Sequence, residues 1–357
     1  MARIVVGAMG DSLGHINHAL AVVQAMTNHE FLFLGGGKVL GLRRMGYLVE
    51  EIPVPGTHYS NNRVDVIATA LNGARVLFGW RQAVKRVVEI VKEFDPSVIL
   101  TAYEFFTPLA ARRLGIPCIS IDNQHFLTKC VYTAPRGQSL SRLMFALPLR
   151  YMYSNADRYL INTFFPLAPA NPADTEVFPP LLMPAVKQVT PTEGDYVLVY
   201  QTSPTFARLI PVLEKMPARF VIYGFGERNS SEKIVYRAPS RERFVEDLAG
   251  CRYVIANGGH NVISEALYFG KPVFSFPIHY AYEQFFNAYM LASMGYGEYS
   301  MAADPGLGVL ERFETHLDEF RGKIRQGEFY GNEKLAARLD EIIKDQQKQD
   351  SDEKSRG

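Results

Sequence analysis

Short, continuously apolar runs alternate with stretches of helical period along this chain, and that alternation narrows its fold more than any other feature. The runs at 4–6, 31–34, 98–100, 118–121 and 159–161 form one series, and those at 196–200, 220–223, 253–256 and 273–276 a second. Between them, 16–26, 78–93, 105–114, 204–215, 240–250 and 281–294 carry helix spacing. A strand that is apolar at every position is buried on both faces, as in a parallel sheet covered by helices on two sides. The series breaks once, in a proline-rich stretch between 164 and 195 that reads as a connection rather than an element. The expectation is therefore α/β, with two doubly wound halves at 1–165 and 193–320 and a linker at 166–192. A terminal segment at 321–357 holds a helix near 332–346 and a charged tail. Two open α/β units leave a cleft between the carboxyl ends of their strands, where topology places ligands.

At 357 residues, 47% hydrophobic and 21% charged, the chain can bury two cores. Its net charge of +1 gives no field for nucleic acid, which is excluded as a partner. The charge is uneven: 17 Lys/Arg against 11 Asp/Glu in 1–165, and 21 against 26 in the remainder. The first half is the one suited to an anionic surface. Three scattered cysteines, Cys118, Cys130 and Cys251, match no metal or disulfide spacing and suit a reducing cytoplasm. The opening "MARIVVGAMG" reads as a strand and glycine turn rather than a signal peptide, and no apolar run is long enough to cross a membrane.

The stretch "IANGGHNVISEALYFGKPVFSFP" at 255–277 reads as strand, glycine turn, helix and strand. Unpaired N–H groups at a helix start carry the positive end of the dipole and accept an anion, and Gly258 and Gly259 allow close approach. His260 and Asn261 open that helix; Ser264 and Glu265 are left for the cleft. A carboxylate one turn from a diphosphate suits the two hydroxyls of a ribose; the alternative is a solvated first-turn acid. In "PIHYAYEQFFNA", Glu283 and Gln284 offer the acceptor and amide that neighbouring sugar hydroxyls need, or form an ordinary polar first turn.

In "GAMGDSLGHINHAL" the glycines do not make the GxGxxG of nicotinamide enzymes, so an oxidoreductase is disfavoured. His15 sits at a helix start facing the cleft, placed for a general base or a capping histidine, and His18 reads as structural. Glu104 ends a strand, either to orient His15 or to cap the next helix. Asp122, Asn123, Gln124 and His125 crowd another strand end and read as acceptor contacts. Thr202 and Ser203 donate to phosphate or cap the helix before Pro204. From 123 to 156 there is no acid, while Lys129, Arg136, Arg142 and Arg150 interleave with apolar residues. That pattern suits anionic lipid headgroups, or a packed helix with solvated arginines.

Together "LGH", "SIDNQH", "NTFFP", "VYQTS" and "NGG…SEAL…EQ…NAY" resemble a group of prokaryotic glycosyltransferases related to the UDP-glycosyltransferases and to the enzyme adding GlcNAc to the peptidoglycan precursor. The resemblance runs to about residue 300. It implies a GT-B fold, two Rossmann-like domains across a cleft, and an inverting transfer from a UDP-sugar co-substrate to a hydroxyl acceptor. The helix start at 258–261 would stabilise the departing diphosphate, so no metal or cofactor is expected, and the basic, aromatic first half suggests a lipid-linked or cell-envelope glycan acceptor at the inner face of the membrane. Glu265 matches the ribose acid, Gly258 and Gly259 the diphosphate cradle, Glu283 and Gln284 the sugar-contacting pair, His15 the base and Glu104 its orienting acid. The stretch 237–240, beginning at Arg237, falls where backbone groups read the uracil. Asn257 stands where plant-type sequences carry a phosphate-binding histidine and His260 where they carry tryptophan, so the diphosphate leans on His260 or Ser203. The rival expectations are a nucleotide-sugar epimerase and a non-catalytic binding subunit on the same scaffold. The one D-x-D, at Asp350 and Asp352, lies in the charged tail.

Overall fold

The structure is a computed structural model. It describes residues 1–11, 13–60, 62–201, 206–226, 228–302 and 305–356, excluding the side chains of 13, 60, 77 and 349–356. The first sheet has seven strands: β1 (Arg3–Ala8), β2 (Glu30–Gly35), β3 (Leu48–Glu51), β4 (Val98–Ala102), β5 (Cys118–Asp122), β6 (Arg158–Asn162) and β7 (Thr175–Phe178). Across the sheet they run β7-β6-β5-β4-β1-β2-β3, all parallel, with Ile4 opposite Phe31 on one side and Val98 on the other. The second sheet has six: β8 (Tyr196–Tyr200), β9 (Arg219–Tyr223), β10 (Ile234–Tyr236), β11 (Val254–Ala256), β12 (Val273–Ser275) and β13 (Gly297–Tyr299). Their order, β10-β9-β8-β11-β12-β13, repeats the doubly wound pattern of the first sheet. The winding reverses between β1 and β4 and again between β8 and β11, so each half has a switch-point crevice at its strands' carboxyl ends.

The helices that frame the crevices are α1 (Leu13–Ala25), α2 (Val66–Phe78), α3 (Trp80–Phe94), α4 (Phe106–Leu114), α5 (Ser139–Pro148), α6 (Arg241–Gly250), α7 (His260–Tyr268), α8 (Tyr282–Ser293) and α9 (Asn332–Arg356). Helix α3 shows how they form: Ala83, Val84, Val87, Ile90, Val91 and Phe94 repeat at helical spacing and are buried, while charged residues fill the opposite face.

Two departures from the sequence reading alter the domain plan. The proline-rich stretch is not only a linker: it supplies β7, which pairs with β6 with Thr175 opposite Tyr159. The terminal helix, longer than the expected 332–346, returns to the first half. There Leu335, Leu339, Ile342 and Ile343 are buried in one cluster with Ile16, Leu20 and Val23.

A single apolar cluster passes from one half into the other. At the junction Phe126 stacks on Phe286, with ring centroids 4.7 Å apart, and Phe165 stands edge-on to it at 5.7 Å. Backbone bonds add to the contact: Val64 N–H donates to the His279 carbonyl at 3.1 Å and His279 N–H to the Asn62 carbonyl at 3.0 Å. Among the described residues no helix is long and apolar enough to cross a membrane.

Candidate active site

The two crevices face each other, and two helix starts meet between them. Asn261, in the first turn of α7, donates its side-chain amide to the Gly14 carbonyl in the first turn of α1 at 3.1 Å. The first α7 bond is Ile263 N–H to the Gly259 carbonyl, which leaves the N–H groups before it without a helical partner. Two positive helix ends converging on one place favour an anion there. The two glycines divide the work. A Cβ on Gly258 would lie 1.9 Å from the Gln284 carbonyl oxygen, so this glycine is required by packing against α8. A Cβ on Gly259 would meet nothing within 4 Å, so its backbone is open to a ligand.

His15 lies on the α1 side of this junction. Its ring stacks on Tyr103 at 4.9 Å, and Tyr103 stacks in turn on Tyr153 at 4.4 Å. Tyr103 takes φ 55°, a left-handed conformation that costs a non-glycine residue about 1–3 kcal/mol and gathers at functional sites. Burial lowers the His15 pKa below its ordinary value, and the negative charges of Asp11 and Asp122 oppose the shift. The imidazole is thus neutral at pH 7 and has a lone pair to offer.

Glu104 does not orient His15. Its two oxygens accept the Phe106 and Thr107 N–H groups at 2.7 and 2.6 Å, and the carboxylate is 2% exposed. It caps the start of α4, the second of the two roles its place allowed, and the ring contact His15 makes is with Tyr103.

The donor-side residues separate. Glu265, 2% exposed, accepts two bonds from Arg241: NH1 to Oε2 at 3.0 Å and NH2 to Oε1 at 2.7 Å. Arg237 is anchored by its N–H on the Ile222 carbonyl and its guanidinium 3.6 Å from Asp247, and 238–240 beyond it are exposed. Asn257 is buried and donates to Gln201 Oε1 at 2.6 Å, tying the ends of β8 and β11 together. The His260 ring packs edge-on to His18 at 5.5 Å and against Phe164 at 5.7 Å. Burial, then the neighbouring His18, pushes its pKa well below the usual value, so it brings no charge. Ser264 is fully buried rather than cleft-facing. Ser203 lies outside the described residues.

Glu283 and Gln284 part company. Gln284 accepts the Ile278 N–H at 3.2 Å and closes its own loop. Glu283 points across the cleft and accepts from the Gln124 amide of the first half at 3.1 Å. Burial raises its pKa to about 7, the Asp122 charge adds to the rise, and the Gln124 amide resists it.

On the acceptor side Asp122 and His125 are turned to each other. Asp122 accepts from the His125 backbone at 2.9 Å and from Ser120 at 2.6 Å, and its Oδ2 is 2.7 Å from His125 Nδ1. Burial would raise Asp122, but His125 and these bonds hold it at about 2. Asn123, 1% exposed, lies in the same buried cluster. From this strand end both Gln124, by its hydrogen bond, and Asn123, by its side chain near the same carboxylate, reach Glu283 of the other half.

Sequence reasoning missed Tyr103, Asp11 and Arg241. Arg241 left a signal: it opens a helix, where the dipole disfavours a cation. Tyr103 and Asp11 left none.

Two facing Rossmann-like domains with apposed helix starts define the GT-B class of glycosyltransferases. The chain belongs to glycosyl transferase family 1, whose model matches residues 2–317. It is 25% identical to an uncharacterized glycosyltransferase of Methanosarcina mazei over 95% of both chains. It is 26% identical to another of Methanosarcina acetivorans over 91% of this chain and 93% of that one. The fold is similar to SnogD from Streptomyces nogalater, with TM-score 0.64, 18% identity and 96% and 100% of the two chains covered. MurG of Acinetobacter baumannii gives 0.62, 18%, and 97% and 100%. Phytolacca americana UGT2, solved with UDP-2-fluoro-glucose and pterostilbene, gives 0.67, 15%, and 96% and 99%.

Proposed function

We propose that this glycosyltransferase moves a sugar from a UDP-sugar to a hydroxyl acceptor with inversion and without a metal. The observation that carries the reading is the meeting of two helix starts, with His15 on one and the open Gly259 backbone on the other. A diphosphate held there develops charge as it leaves, and preorganised N–H dipoles stabilise that charge. Neutral His15 takes the proton from the acceptor hydroxyl as its oxygen attacks the anomeric carbon from the opposite face. Glu283, at the cleft between the halves, contacts a hydroxyl of the transferred sugar.

The acceptor is amphiphilic in this reading and is met at the inner face of the membrane. Helix α2 exposes Ile67, Leu71 and Phe78, and α5 exposes Leu140, Leu143 and Leu147. Exposed Arg75 lies among the first set and exposed Arg142 among the second, with no acid between 66 and 88 or between 123 and 156. Apolar side chains ringed by cations suit an anionic lipid surface.

The test is UDP release from UDP-sugars with a panel of lipid-linked and soluble acceptors. His15→Ala is expected to lower turnover by about 10²-fold or more while UDP affinity stays within about twofold. Unchanged turnover would remove the base assignment.

A further inference from the structure

The acceptor side of the cleft gathers carboxylates that are answered by neutral groups. Asp11 from the first half and Glu283 from the second both lie close enough for their charges to act on the Tyr59 and Tyr103 phenols, so they flank the same two rings. The Thr57 hydroxyl donates to Asp11 Oδ2 at 3.3 Å and the Gln124 amide to Glu283 at 3.1 Å. Thr57 and Tyr59 belong to a short hairpin in which Tyr59 pairs with Val64, and Val64 bonds to the second half. Asp11, His15, Tyr59, Tyr103 and Glu283 are each partly exposed, so the place they surround is reached from solvent. Two acceptor atoms there have no donor among the described residues: Asp11 Oδ1, and Oε1 of Gln124, a side chain only 5% exposed. The Gln124 amide nitrogen sits on Glu283, which puts its oxygen in the same cluster.

We propose that this place binds a protonated amine carried by the acceptor beside the hydroxyl that is glycosylated, which makes the acceptor an amphiphilic amino alcohol. The inference rests on the transfer reading above and deepens it by naming the acceptor class. An ammonium has three donors and no acceptor, which is what orphaned oxygens and unanswered carboxylates call for. A cleft lined by one sign of charge also concentrates the opposite sign. Among the described residues no three His, Cys, Asp or Glu side chains are grouped to hold a metal ion, so the acids are spread for an organic cation. The protonated nitrogen has no lone pair and cannot attack, so the hydroxyl beside it remains the nucleophile and His15 its base. Asp11 is the acceptor-binding residue on which the selection turns.

The rival reading is that Asp11 is held by the positive end of α1, that Gln124 only ties the halves, and that the acceptor is a neutral polyol. The experiment is calorimetric titration of the UDP-saturated chain with two amphiphiles of equal chain length, 2-aminodecan-1-ol and decane-1,2-diol, below their micelle concentrations. The proteins are the wild type, Asp11→Asn and Asp11→Glu. The wild type is expected to prefer the amine by about tenfold or more, since a charge-assisted bond at a desolvated carboxylate outweighs a neutral one. Asp11→Asn should bring the ratio near one and Asp11→Glu should restore part of it, both variants still binding UDP and melting cooperatively. Equal wild-type affinities, or a preference that survives Asp11→Asn, would overturn the inference and leave UDP-sugar transfer standing. Binding of UDP with neither amphiphile would overturn it too, and a wild type that binds no UDP would overturn both it and the donor reading.

Discussion

Glu283 holds a proton near neutral pH because it is desolvated between two domains and faces the charge of Asp122. Its folded pKa of about 7 lies above the ordinary 4.5. Between those values the folded chain keeps a proton that the unfolded chain has released, so stability falls as pH rises, by about 3 kcal/mol at most. His18 works in the other direction. Burial, then His15, lowers it to about 4 from 6.5, so stability is lost as pH falls through that window. The two slopes overlap and offset each other in the wild type. Glu283→Gln should therefore melt higher than the wild type at pH 8, match it at pH 4, and show a steeper acid decline; parallel curves would contradict the assignment. At this scale the sequence made a residue's place legible, with His15 at the start of α1 and Glu265 within α7. It failed where a side chain had two partners to choose from. A strand-end glutamate looks the same whether it orients a histidine or caps a helix, and Glu104 caps. Arg241 stood out as a cation opening a helix, but its partner, 24 residues away in another helix, could not be read from that position.

The glycine turn before α7 gives the clearest prediction among the elements. Gly258→Ala forces a methyl into the Gln284 backbone and should destabilise the fold by about 1–3 kcal/mol. Gly259→Ala has open space and an extended backbone, φ −69° and ψ 125°, so the fold should tolerate it while nucleotide binding weakens. Thermal melts and UDP titrations of both variants check this; loss of stability in Gly259→Ala alone would reverse the assignment. The strands show a related division. Every interior strand of both sheets was legible as an apolar run, because a central strand is buried on two faces. The four that escaped, β3, β7, β10 and β13, are the four edges. β3 has one buried residue in four, and β7 likewise. Edge strands carry polar residues against edge-to-edge pairing, which erases the apolar signal. Exposed α2 was missed for a similar reason, since its apolar residues face outwards and follow no core-facing stripe.

For the whole molecule, the sequence made two α/β halves and a cleft legible, but not how they are joined. The joining depends on contacts between distant residues: Phe126 with Phe286, Asn261 with Gly14, and α9 returning across the chain to cover α1. These contacts bring two helix starts together, so the anion site proposed there would belong to neither half alone. The most direct test is calorimetric titration of the intact chain with UDP, GDP and TDP in excess EDTA. The account predicts saturable one-to-one binding of UDP that weakens as salt rises, since helix dipoles and a phosphate attract through charge. Binding that appears only when a divalent cation is restored, or no binding of any nucleotide, would contradict it.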